Sequence, residues 1–250
     1  MHPVFIKIGS FVIYWYGVFV AIGVFVSVSL FQKECLKEGY NEKLISQIIF
    51  WTILIGIIGA RVLHIFVNIN YYFFHPLEIF KLRNGGLAVE GAILFSLIFL
   101  ILFSKFKNIS TIKLLDTISV SVPIGQAIGR IGCFLNGCCY GKETNFFLGI
   151  KFPFLAKKVH PTQLYYSFLY IILFFLLKKL SQKFKKGEGL IFSSYLIGFS
   201  LIRYFVDFLR GDLKKTSLGF YPTQIIAVII FIIGGIYIIL KTIKTQKTNG

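Results

Sequence analysis

The chain has 250 residues, 56% of them hydrophobic and 15% charged, with a formal net charge of +17. Its mean hydropathy of +0.77 excludes an ordinary soluble domain, in which roughly 45–50% of residues are apolar and the surface is polar. The lysines cluster between apolar blocks, as in Lys178, Lys179, Lys183, Lys185 and Lys186, which fits anchoring against anionic headgroups and not a nucleic-acid surface.

The apolar blocks run about 18–24 residues, enough to cross a hydrocarbon core roughly 30 Å thick at 1.5 Å per residue. Their period is helical or absent, which argues against alternating barrel strands. In chain order the predicted spans are 11–31, 44–67, 86–106, 114–135, 162–177, 189–208 and 224–240. The first block has no basic leader and no small-residue cleavage site, so it is expected to stay as a helix and not to be a cleaved signal. The fourth is interrupted by Pro123, Gly125, Gly129 and Gly132; such a break survives at membrane depth only where the backbone is buried or lines a wet cavity. The fifth is short. No internal repeat is evident, which counts against many secondary transporters. The expected fold class is therefore all-α: a polytopic membrane protein with about seven transmembrane helices, forming a single transmembrane domain over 1–250. Lysine and arginine are slightly richer in the loops after spans one, three and five and in the tail. This places the N-terminus outside and the C-terminus in the cytoplasm.

Ionisable groups inside a span cost about 2.5–3.5 kcal/mol each, so they are usually paired or functional. Arg61 follows Gly59 and Ala60, small residues that permit close helix packing. It reads either as structural glue or as part of a polar cavity, while nearby His64 reads as a snorkelling side chain. Glu90 lies among glycines near the start of span three. A poorly solvated carboxylate there would suit a general base; an ion pair with an arginine from another helix is the alternative. Arg130 stands between Gly129 and Gly132 near the end of span four, and its planar fork of donors matches a phosphate. Arg203, Asp207 and Arg210 are spaced four and three apart, so they share one helical face. They form either a salt-bridge ladder or an arrangement in which Asp207 fixes one arginine while another reaches a ligand. Gln163 and Gln224, each following Pro-Thr, are candidate buried hydrogen-bonding residues of the same pocket.

Of the four cysteines, Cys35, Cys133, Cys138 and Cys139, none forms a CxxC pair, and no histidine-rich ligand set accompanies them. The reading therefore calls for no metal and no other cofactor.

Taken in order, several motifs resemble one family. They are His2-Pro3-Val4, Tyr14-Trp15-Tyr16-Gly17, Gly59-Ala60-Arg61 and Gly85-Gly86-Leu87-Ala88. They continue through the run from Gly129-Arg130-Ile131-Gly132 to Asn136-Gly137-Cys138-Cys139-Tyr140-Gly141, then His160-Pro161-Thr162-Gln163-Leu164-Tyr165, then Arg203-Tyr204-Phe205-Val206-Asp207. The chain resembles the phosphatidylglycerol–prolipoprotein diacylglyceryl transferases almost end to end. The resemblance implies seven transmembrane helices in the bacterial plasma membrane. It also implies transfer of a diacylglyceryl group from phosphatidylglycerol to the lipobox cysteine thiol of a prolipoprotein signal peptide, with a thioether formed and glycerol phosphate released. Phosphatidylglycerol, prolipoprotein and membrane lipid are then the partners, with no nucleic acid. On the matching positions Arg130 is the phospholipid-binding arginine and Arg203 the second essential one. Tyr16, Asn136, Gly141 and Asp207 are associated with activity, and Arg61 is placed with the substrate-binding residues.

Three departures accompany this resemblance. Glu90 stands where members carry histidine or tyrosine, Cys133 and Cys138 replace an asparagine and a glutamate of some members, and Tyr166 replaces a common acidic residue. On the residues alone, Glu90 is the candidate base and Tyr16 a weaker one. A lipid-binding or transport protein without transferase chemistry is the rival reading, and a diverged member using another thiol or phospholipid is a second.

Overall fold

The computed structural model describes residues 3–9, 11–81, 85–214, 216 and 219–249; His2 of the stretches above lies outside the described residues. The chain opens with a hairpin, β1 (Val4–Ile8) and β2 (Phe11–Tyr14), paired antiparallel. It continues as α1 (Trp15–Lys37), α2 (Glu42–Val67), α3 (Ile69–Phe74), a 3-10 turn (Pro76–Phe80) and α4 (Val89–Phe106). Then come α5 (Thr111–Ser119), α6 (Val122–Asn136), α7 (Thr162–Lys183), α8 (Leu190–Phe208) and α9 (Pro222–Asn249). Among the described residues six helices are long and apolar enough to cross a membrane, or seven when α5 and α6 count as one span bent by 44°.

The all-α expectation therefore holds, with three corrections of detail. The first span begins at Trp15, because Phe11–Tyr14 is a strand of the opening hairpin. The fifth is not short: α7 extends to Lys183, its lysines carrying their charge outward on long stems. The fourth is a broken pair, and its break lies before Pro123, at 120–121. Pro123 occupies the first turn of α6, where a missing N–H costs nothing. Ser27 Oγ donates to the freed Ser121 carbonyl at 2.9 Å.

The chain divides into two compact units, Glu34–Leu114 on one side and Met1–Lys33 with Leu115–Gly250 on the other. In the smaller unit α2 packs along α4. A side chain at Gly91 would collide with the Gly59 carbonyl, so small residues set this close crossing as the sequence suggested. In the larger unit α6, α7, α8 and α9 pack in succession, around a core that includes Tyr166, Tyr170, Leu177, Ile191 and Val206.

Asp116, in α5, is fully buried. Its carboxylate accepts the backbone N–H groups of Gly187, Gly189 and Phe192 at 2.9, 2.8 and 2.9 Å. These include otherwise orphaned donors at the start of α8, and the anion complements the positive end of the helix. Each charge-assisted bond is worth about 1.5–3 kcal/mol. Asp116→Ala is therefore expected to destabilise the protein by at least about 3 kcal/mol, read as a lowered melting temperature in detergent.

Candidate active site around Arg130, Arg203 and Asp207

Four helices of the larger unit, α6 to α9, build the site. Arg130 projects from α6 and is half-buried; its guanidinium lies over the Tyr166 ring, 4.2 Å from the centroid. Tyr166, one turn into α7, has no exposed surface. Its hydroxyl donates to Asp207 Oδ1 at 2.5 Å. Asp207, near the end of α8, is itself completely buried. Its other oxygen accepts from Thr223 Oγ1 and lies 3.4 Å from Arg203 Nε, one helical turn back. Arg210 Nη1 is 3.7 Å from Oδ1, but its closer partner is Asp212, held by two bonds of 2.8 and 2.6 Å.

A buried carboxylate thus anchors the cluster, and Tyr166 joins its two sides: the ring face carries Arg130 while the hydroxyl reaches Asp207. Arg130 and Arg203 both act electrostatically on Tyr166 and on Tyr170 behind it. Of the two readings of the Arg203–Asp207–Arg210 row, the ion pairs match the ladder, with Asp207 in contact with both arginines. Arg210 continues the ladder to Asp212, and Arg203 reaches Asp207 at 3.4 Å.

Tyr16, in the first turn of α1, is partly exposed and within electrostatic reach of Arg130. It is brought there by a close crossing of α1 over α6, where a side chain at Gly132 would lie 3.3 Å from the Tyr16 carbonyl. Asn136 ends α6, is exposed and lies near Cys138. Gly141 acts through its backbone, its N–H donating to the His160 carbonyl at 2.8 Å. A Cβ there would meet His160 Cβ at 2.6 Å and the Leu209 carbonyl at 2.8 Å. This glycine lets the loop after α6 run between the approach to α7 and the end of α8. Lys142 continues the contact, its N–H donating to the Leu209 carbonyl at 2.7 Å.

Both glutamines are buried hydrogen-bonding residues, as expected. Gln163 Nε2 donates to the Cys138 carbonyl at 2.6 Å, and Gln224 Nε2 to the Tyr204 carbonyl at 3.3 Å. One turn from Arg203, α8 and α9 leave a cleft of about 200 Å³ lined by Leu201, Tyr204, Phe205, Val228 and Phe231, among others. Its walls are apolar, which suits a hydrocarbon chain.

The smaller unit holds the remaining two candidates. Arg61 is buried, and its guanidinium donates to the carbonyls of Ile79 at 3.0 Å, Gly85 at 2.8 Å, Gly86 at 3.1 Å and Glu78 at 2.5 Å. It lies over the Tyr72 ring as well, 5.4 Å from the centroid. Four bonds to backbone spend most of the five N–H groups of an arginine, so the glue reading describes what Arg61 does here. Glu90 is exposed in the first turn of α4. The protein itself does not bury this carboxylate, so burial by protein side chains does not supply the poorly solvated place expected for it.

Two features escape a sequence reading. Tyr166 stands out in the sequence only as a departure from a common acidic residue, and only the fold shows it bridging two charged groups. The cysteines, set aside for want of a CxxC pair, converge: the sulfurs of Cys133, Cys138 and Cys139 all lie within 4.8 Å of one another. The neighbouring Cys133 and Cys138 thiols, together with the charges of Arg210 and Arg130, pull the Cys139 thiol below the usual thiol range.

Substitutions separate the two roles of Tyr166. Tyr166→Phe keeps the ring under Arg130 and removes only the bond to Asp207, so a loss of about 1.5–3 kcal/mol in stability is expected. Tyr166→Leu also removes the aromatic support of Arg130, worth about 2 kcal/mol when desolvated. It should therefore lose more in melting temperature than Phe does.

The family profile described as prolipoprotein diacylglyceryl transferase matches residues 3–240. Among curated relatives, the phosphatidylglycerol–prolipoprotein diacylglyceryl transferase of Clostridium tetani is 38% identical over 239 residues, covering 94% of this chain and 95% of the relative. The proteins of the same name from Clostridioides difficile and Finegoldia magna are 36% and 34% identical, covering 95% and 92% of this chain and 94% and 91% of the relatives.

Proposed function

Given that the chain belongs to the prolipoprotein diacylglyceryl transferase family, we propose that Arg130 and Arg203 together hold the phosphodiester of its lipid substrate. The activity is transfer of the diacylglyceryl group from phosphatidylglycerol to a prolipoprotein. The observation that carries the assignment is Arg130 seated on Tyr166, whose hydroxyl reaches the same buried carboxylate of Asp207 that ties Arg203. A guanidinium fixed in this way meets a phosphate without having to be reorganised.

The proposed acceptor is the thiol of a lipobox cysteine. Its thiolate is the nucleophile. The new sulfur–carbon bond forms at the glyceryl carbon that carries the phosphate ester, and the carbon–oxygen bond breaks. The electron pair leaves on the phosphate oxygen as glycerol phosphate. Both arginines then face a dianion-forming leaving group, and their attraction grows as the bond breaks, which is the condition for catalysis. Glu90 is the proposed base for the thiol. Tyr16 is the second candidate, favoured by its place beside Arg130. Asn136, at the end of the helix that carries Arg130, is assigned to the substrate-binding rim. Gly141 and Asp207 are assigned to positioning, and Arg61 to holding the loop before α4. One acyl chain lies in the apolar cleft between α8 and α9, the other along lipid-facing side chains.

The protein spans the membrane several times; the bacterial plasma membrane, with the arginines toward its outer leaflet, is the proposed setting. Incubating the purified protein with phosphatidylglycerol labelled in its acyl chains and a lipobox peptide tests the reading. Label on the peptide cysteine in a thioether is expected. Tight phosphatidylglycerol binding without labelled peptide would favour the rival reading of a lipid carrier.

A further inference from the structure

Cys133 lies in the last turn of α6, and Gly137 ends that helix in the left-handed conformation, with φ 74°. The chain then folds back, Cys138 N–H donating to the Cys133 carbonyl at 3.2 Å, and the Cys138 sulfur lies 3.6 Å from the same oxygen. Cys139 follows with φ 60°, a conformation uncommon for a residue with a side chain. The turn is held in place from α7. Thr162 Oγ1 donates to the Cys139 carbonyl at 2.5 Å, and Gln163 Nε2 to the Cys138 carbonyl at 2.6 Å. Backbone strain, a helix cap and two side-chain straps therefore combine to aim three sulfurs at one point, all within 4.8 Å of one another.

We propose that Cys133, Cys138 and Cys139 form a binding site for a thiophilic d10 metal ion of the zinc and cadmium class. A metal–sulfur bond of about 2.3 Å sets tetrahedral sulfurs about 3.8 Å apart, so small side-chain rotations close the site. Three thiolates are soft ligands that select such ions over magnesium or calcium. Binding releases the three thiol protons to solvent and leaves a complex of net charge −1, with the fourth coordination position open. Arg130 and Arg210 lie within electrostatic reach of Cys139 and offset that charge. Because Arg130 is also the proposed phosphate ligand, an occupied site places a new negative charge beside the lipid phosphate. This last consequence rests on the reading given under Proposed function; metal binding itself does not.

The test titrates the reduced, purified protein with Cd²⁺ in thiol-free buffer, following the ultraviolet thiolate-to-cadmium charge-transfer band and the protons released. Saturation at one ion per chain is expected, with about three protons released at a pH where the thiols are neutral. Zn²⁺ should displace the probe and Mg²⁺ should not. Single Cys133→Ser, Cys138→Ser and Cys139→Ser variants should each weaken binding at least about a hundredfold. Cys35→Ser, at a fully buried cysteine in the other unit, should bind as wild type. A wild-type protein that gives no charge-transfer band, or a band that persists unchanged in Cys133→Ser, overturns the site whatever the variants do to folding. Transfer activity read in parallel separates this result from the lipid assignment: absence of the metal band in a wild-type protein with normal transfer refutes only the metal site.

Discussion

Purified Arg130→Gln protein is expected to insert and fold as wild type does, yet to transfer diacylglyceryl at least about a hundredfold more slowly. The folding half of this expectation follows from the contacts. Arg130 is half-buried and lies over Tyr166, 4.2 Å from the ring centroid, an interaction worth about 2 kcal/mol. A glutamine that lies over the same ring retains part of that. The catalytic half follows from charge. Glutamine keeps an N–H donor but supplies no positive charge to a phosphate that gains negative charge as the ester breaks. Arg130→Lys should fall between the two, since a lysine restores the charge and not the fork. Initial rates with labelled phosphatidylglycerol, set beside melting temperatures in detergent, make the comparison. Wild-type rates in Arg130→Gln would remove this residue from the mechanism.

Replacing Asp207 should do the reverse, affecting stability and activity together. Its carboxylate has no exposed surface and serves Tyr166, Thr223, Arg203 and Arg210 at once. Removing one partner of a buried ion pair costs about 3–5 kcal/mol, because the other charge stays buried without compensation. Asp207→Ala is expected to lose stability in that range and to lose transfer as Arg203 comes adrift. Asp207→Asn keeps the shape and one acceptor for the two hydroxyls. It should therefore unfold later than the alanine variant while still transferring poorly. Arg210 limits the damage at its own end through Asp212. If Asp207→Ala melted with wild type, the carboxylate would not be the anchor described here.

Most of the fold was legible because membrane spans announce themselves by length. The ends were less so. Val12, Ile13 and Tyr14 continue the apolar run into α1, and nothing in their composition says that the hairpin takes them. Lys178 and Lys179 looked like the end of span five, yet long side chains let α7 carry charges through to Lys183. At the site, Arg130, Arg203 and Asp207 could be found because a bilayer makes each of them expensive, so their presence needed a reason. Tyr166 carries no such cost signal. The resemblance marks it only as a departure, and its role shows when a guanidinium and a carboxylate from two other helices meet on it. The cysteine cluster was hidden for a related reason, since a spacing of five followed by one matches no ligand motif until a helix cap folds the chain back.

Helix α8 is clamped twice, by Asp116 at its start and, through Tyr166 and Thr223, by Asp207 at its finish. An enzyme so braced loses little freedom when substrate arrives, and it has little freedom to adjust. The lipid must conform instead. Discrimination should then be strict at the head of the molecule and lax along its tails, where the Leu201–Phe231 groove offers only greasy walls. A cell could remodel its fatty acids with temperature and still keep its lipoproteins anchored.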